Sequence, residues 1–121
     1  MKVQVYHLDF GRPPAVLVAE FSTLEVCGHE EALDWAWRHT QNIDGSWSRG
    51  EYIEGYDGQR VRNRDYVPWV RVLAPLPTFD GRTYGLRSSM VGDVFVIGTE
   101  AFKAAKFGFE PTEMPLAEPP K

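Results

Sequence analysis

The chain has 121 residues, a length that suits one domain able to bury roughly two thirds of its unfolded surface. It is 43% hydrophobic and 13% aromatic, enough for a real core, and its net charge of −4 argues against a general polyanion binder. The single cysteine, Cys27, excludes an intramolecular disulfide and fits a reducing compartment, so the expected location is cytoplasmic.

Residues 3–8 alternate apolar and polar side chains and predict a first strand. The segment 1–9 lacks the continuous apolar core of a signal peptide, and no run approaches the length of a membrane span, so no membrane partner is expected. Gly11-Arg12-Pro13-Pro14 predicts a loop. Ala15 to Ala19 is continuously apolar and predicts a central strand buried on both faces, joined to the first in a hairpin with a longer loop. The main helix is expected over 29–41. Glu30 and Glu31 sit in its first turn, where the helix dipole favours carboxylates, and Leu33, Ala36 and Trp37 share one apolar face. Trp35 points roughly opposite that face, either covered by the following loop or offered to a partner.

From Asn42 to about Asp65 there is little periodicity, and loops this long in compact domains are uncommon and often functional. Arg60, Arg62 and Arg64 alternate with Val61 and Asn63, which in an extended segment places three guanidiniums on one side. Residues 66–73 predict a strand with Pro68 near its start or at an edge. Asp80-Gly81 predicts a tight turn. Val94 to Ile97 is a short apolar run between glycines, the pattern of a buried strand. Residues 102–107 fit a strand or a short helix, and the aromatic Phe107-Gly108-Phe109 favours a hairpin. Residues 110–121 hold four of the nine prolines and predict an extended tail, leaving one domain over 1–109. The fold expected is α+β: an antiparallel sheet of about five strands with one main helix packed on one face.

Arg87-Ser88-Ser89-Met90-Val91-Gly92-Asp93-Val94, followed by Gly108-Phe109, resembles the signature of YodL-like domains and of small proteins from phages and mobile elements. The resemblance spans about the last third of the ordered chain and departs from the pattern at Met90, where a second serine is usual. It implies a mobile-element setting and a small α+β fold, and it assigns no catalytic residue. Arg87, Ser88, Gly92, Asp93, Gly108 and Phe109 are expected to be structural. Asp93 would bond turn amides, and Arg87 would pair with a carboxylate or carbonyl.

The sequence carries no phosphate-binding glycine loop, no dinucleotide fingerprint and no His-Glu-x-x-His. Cys27, His29 and Glu30 lie close together near a helix start, where a thiol pKa can fall, but the reading taken is an inert, half-buried thiol beside a capping region. His7, His29 and His39 lack metal-ligand spacing, and Asp9, Asp44, Asp57, Asp80 and Asp93 are explained by turn chemistry. No catalytic residue, cofactor or metal is expected. What stands out is segment 47–71, where Trp47, Tyr52, Tyr56, Tyr66 and Trp69 interleave with Arg49, Arg60, Arg62, Arg64 and Arg71. Trp, Tyr and Arg are the residues enriched at protein–protein hot spots, and the same set stacks bases and pairs phosphates of single-stranded nucleic acid. The expected activity is non-enzymatic binding of an unidentified host or phage protein through Trp35, Trp47, Arg60, Arg62, Arg64 and Trp69. The alternative is a single-stranded nucleic-acid module built on 47–71. The sequence is silent on oligomeric state.

Overall fold

The computed structural model describes residues 1–22, 28–55 and 57–115. In chain order the elements are β1 (Lys2–Asp9), β2 (Arg12–Ser22), α1 (His29–Arg38), β3 (Tyr52–Glu54), β4 (Arg60–Arg62), β5 (Arg71–Val72), β6 (Thr78–Phe79), β7 (Arg82–Thr83), β8 (Val94–Ile97), β9 (Glu100–Ala104) and β10 (Phe109–Thr112). The sheet has six strands rather than five, in the order β10-β9-β8-β1-β2-β5, every neighbour antiparallel. Two further hairpins, β3–β4 and β6–β7, stand apart from it.

Alternation in β1 decides which face is the core. Val3, Val5 and His7 point to the side covered by α1, and Tyr6 and Leu8 point to the other. The helix buries Ala32, Leu33 and Ala36 against Val3, Val5, Phe21, Phe95 and Ile97, so the expected apolar helix face is the observed one. Val94, Val96 and Ala101 form a smaller cluster with Tyr6 and Leu8 on the opposite face. All four residues of β8 are therefore buried.

Strand β2 is not buried on both faces, because it is one strand in from the β5 edge and Val16 is 41% exposed. Its apolar run has another cause. Val5 pairs with Ala19 and Tyr6 with Leu17, so Val18 is an extra residue in the ladder. The resulting bulge turns both Val18 and Ala19 inward. The β1–β2 connection is also tighter than a long loop: Phe10 and Gly11 both have positive φ, the geometry of a two-residue hairpin turn. Gly92, at φ 97°, closes against this turn, and a Cβ there would lie 2.9 Å from the Gly11 Cα.

The chain past residue 98 is a hairpin, as the aromatic pattern predicts, and it continues into a second one. β10 runs to Thr112, past the expected boundary at 109, and carries Pro111 on the sheet's outer edge, where a missing N–H costs no ladder bond. Phe109 packs edge-on to Phe95 at 5.3 Å and to Trp37 at 6.4 Å. The last part of the proline-rich tail, 116–121, lies outside the described residues. None of the described helices is long and apolar enough to cross a membrane.

Candidate binding face and the buried polar clamp beneath it

The aperiodic stretch after α1 begins an arm, 42–85 with residue 56 undescribed, whose first loop is held by side chains. The Asp65 carboxylate accepts the amides of Ile43 (2.6 Å), Asp44 (2.9 Å) and Gly45 (2.7 Å) through one oxygen. Asn63 is buried: its Oδ1 accepts from Ser46 N at 2.8 Å and its Nδ2 donates to the carbonyls of Ser46 (2.6 Å) and Gly50 (3.0 Å). The arm then pairs as the β3–β4 hairpin, which the sequence pattern does not announce. Of the strand expected over 66–73 only Arg71–Val72 forms, because the chain turns at Val67–Val70 and Pro68 offers no N–H. Asp80 and Gly81 make the expected tight turn, both at positive φ, and close β6–β7.

The arm is tied down by the signature residues. Ser88 Oγ accepts from Asn42 N at 2.8 Å, and Ser89 N donates to Thr40 O at 2.9 Å. Trp47 Nε1 donates to Arg87 O at 2.8 Å. Asp93 is wholly buried and takes four donors: Arg87 through both guanidinium nitrogens at 2.7 and 2.9 Å, Met90 N at 2.8 Å and Leu8 N at 2.9 Å. Arg87 also donates to the carbonyls of Leu8 and Ser88. The contacts expected of Asp93 and Arg87 are both present, with Asp93 itself as the carboxylate that Arg87 grips.

Sequence reasoning left one constellation unassembled. His7, Ser89 and Asp93 meet in the core, a Ser/His/Asp set that invites a catalytic reading. The geometry speaks against a nucleophile. Ser89 Oγ lies 3.0 Å from His7 Nε2, and the Asp93 carboxylate approaches the same nitrogen, at 3.8 Å. A triad needs the acid on the other ring nitrogen. Thr40 Oγ1, in turn, is 2.8 Å from Ala36 O, and that carbonyl is left without a backbone donor where the helix ends. Assigning Thr40 as its donor fixes the chain of protons as His7 Nε2–H to Ser89 Oγ, Ser89 O–H to Thr40 Oγ1 (2.7 Å), and Thr40 O–H to Ala36 O. The serine proton thus points away from the imidazole. Burial pushes the His7 pKa down to about 4, with Asp93 opposing the fall and Arg87 adding to it, so the ring is neutral at pH 7. No buried side-chain polar atom among the described residues lacks a partner. This is a clamp joining β1, the end of α1 and the 87–93 segment. The clue in the sequence was the period-2 placement of His7 on the face of Val3 and Val5.

The expected contact residues separate on this frame. Trp47 is 2% exposed and its ring stands edge-on to His7 at 6.0 Å, so it is core and offers no contact surface. Trp35 is half-buried, with its ring against Phe21 at 4.7 Å and His39 at 4.3 Å. Trp69 is 67% exposed. Arg60, Arg62 and Arg64 do not share one strand face, because β4 ends at Arg62, Asn63 turns inward and Arg64 belongs to the next turn. Arg62 faces Glu51 at 3.7 Å, and the Arg60 guanidinium lies over the Tyr52 ring at 4.4 Å. His29 pairs with Glu100 at 3.2 Å, while Cys27 and Tyr56 lie outside the described residues. Among the described residues no group of three or more His, Cys, Asp or Glu is placed to hold a metal.

Between the β3–β4 and β6–β7 hairpins runs a groove of about 590 Å³ lined by Arg49, Tyr52, Glu54, Arg60, Arg82 and Tyr84. A depression of about 640 Å³ lies by Met1, Gln4 and the β8–β9 turn, but its Lys2 and His29 already face Glu20 and Glu100. No family model, curated protein or solved structure matches the chain significantly.

Proposed function

We propose that this chain is a non-enzymatic accessory protein, encoded by a phage or other mobile element, that acts in the cytoplasm by binding another protein through its 42–85 arm. The observation that carries the reading is where the large apolar side chains lie exposed. Of the twelve exposed among the described residues, seven belong to the arm, Trp69 at 67% and Phe79 at 68% among them. Exposed apolar and aromatic groups rimmed by arginine mark protein contact sites. The Ser/His/Asp set, by contrast, is closed to substrate, and the signature resemblance supplies the mobile-element setting.

The test is capture from host lysate with the wild-type chain, with Trp69→Ala/Phe79→Ala, and with Phe10→Ala/Phe107→Ala as a control for apolar surface elsewhere. A stoichiometric partner lost only in the arm variant supports the reading. A partner kept by the arm variant, or no partner together with turnover of a small molecule, reverses it.

A second reading is favoured by one observation: Arg60 and Arg62 are exposed beside the half-exposed Tyr52. Two phosphate contacts on single-stranded nucleic acid give a log–log salt slope of about −1.4. A salt-independent affinity, or no tryptophan quenching by an oligonucleotide at low salt, removes it.

A further inference from the structure

The groove between the two hairpins differs from the rest of the surface in charge. Arg49, Arg60 and Arg82 line it against one carboxylate, Glu54, so it carries +2 in a chain of net −4 and the remainder carries −6. Elsewhere Lys2, Arg62, Arg87 and Lys103 face Glu20, Glu51, Asp93 and Glu110, while Arg12, Arg38, Arg64, Arg71 and Lys106 have no carboxylate within 4.0 Å among the described residues. None of the three groove arginines has a carboxylate within 4.0 Å among the described residues. They come from three separate segments, the loop before β3, strand β4 and strand β7, so only the folded arm brings them together. Tyr52 and Tyr84, both half-exposed, form the walls, and the cation–π contact to Tyr52 holds Arg60 in place.

We propose that this groove is the peptide-recognition site of the chain and that its occupant is an acidic segment of the partner, carboxylates on the guanidiniums and apolar or aromatic side chains against Tyr52 and Tyr84. The inference rests on the protein-binding reading and names the ligand class of that site. Guanidinium presents a planar fork that matches a carboxylate, and complementary charge steers encounter and fixes register. The charge map favours a short acidic peptide over a nucleic-acid strand. A strand extends its phosphates beyond the groove, along a chain whose other residues sum to −6. A short segment keeps its charge inside the +2 region.

The experiment is fluorescence anisotropy on the full chain with three labelled probes: a short peptide of alternating Glu and Tyr, its Lys/Tyr counterpart, and oligothymidine of equal length. Saturable binding of the acidic peptide, weaker with rising salt, is expected. Arg60→Glu/Arg82→Glu should weaken it at least tenfold, while Arg12→Gln, exposed and outside the groove, leaves it within twofold. Both arginines are exposed, so the double variant keeps the fold, which its melting temperature checks. Tighter binding of oligothymidine overturns the proposal in favour of nucleic acid. Equal binding of the Lys/Tyr peptide, no binding of the acidic one, or an unchanged Kd in the double variant also overturns it. A cellular partner captured equally by wild type and double variant would leave the protein-binding reading standing and remove the groove from it. Capture of no partner, together with turnover of a small molecule, would remove that reading itself.

Discussion

Removing Arg87 should destabilise the protein more than any exposed charge does. Asp93 is 0% exposed and the Arg87 side chain 40%, so the two partners are not equivalent. In Arg87→Met the carboxylate stays buried with the amides of Leu8 and Met90 but no cation, and Leu8 O and Ser88 O lose donors. An uncompensated buried charge costs about 3–5 kcal/mol. In Asp93→Ala the guanidinium can turn to water, and the loss is mainly two orphaned amides at about 1–3 kcal/mol each. For a domain of this size roughly 4 °C of Tm accompanies each kcal/mol, so Arg87→Met should lower Tm by about 12–20 °C. Arg62→Ala breaks an exposed pair with Glu51 and should cost no more than about 0.5 kcal/mol. Calorimetry on the three variants and the Arg87→Met/Asp93→Ala double would show the pair as a coupling of about 2 kcal/mol. An Arg87→Met shift no larger than that of Arg62→Ala refutes the clamp.

His7 is neutral in the fold and ordinary when unfolded, so stability falls as pH drops from 6.5 toward 4, by about 3 kcal/mol for a shift of that size. His39, whose pKa burial also lowers, with Arg38 adding to the fall, acts in the same direction. Denaturant titrations should show a flatter pH slope in His7→Gln than in wild type or His39→Gln; equal slopes would remove His7 as the cause. Gly92→Ala must place a Cβ 2.9 Å from the Gly11 Cα at φ 97° and should cost about 1–3 kcal/mol, read from urea midpoints against Gly28→Ala, which meets nothing within 4 Å. Asp65→Ala frees three loop amides, so limited proteolysis should open 42–50 first; unchanged cleavage would show that this carboxylate does not hold the loop.

Where the backbone is satisfied by periodic ladders, the residues announced it: β1, β8 and the β8–β9 hairpin follow from period-2 apolar patterns and flanking glycines. The bulge at Val18 escaped, because an extra residue is defined only against the partner strand. The arm escaped for a related reason. Its amides go to Asn63 and Asp65, two polar residues whose importance comes from partners about twenty residues back in the chain, which local pattern does not reveal. The sequence places Trp47 among contact residues because an aromatic among arginines reads alike inside and out. Its indole N–H bond to Arg87 O, forty residues on, places it in the core. The basic groove needed three segments brought together, of which only Arg60 stood in the expected contact set.

The division between a structural clamp and a binding arm is most directly tested by amide hydrogen exchange on the chain, free and with its captured partner. Added protection should fall on 49–60 and 78–84, with the amides of 87–93 exchanging as in the free chain. Protection concentrated at 87–93 or around Phe10 and Phe107, with the arm unchanged, would contradict it.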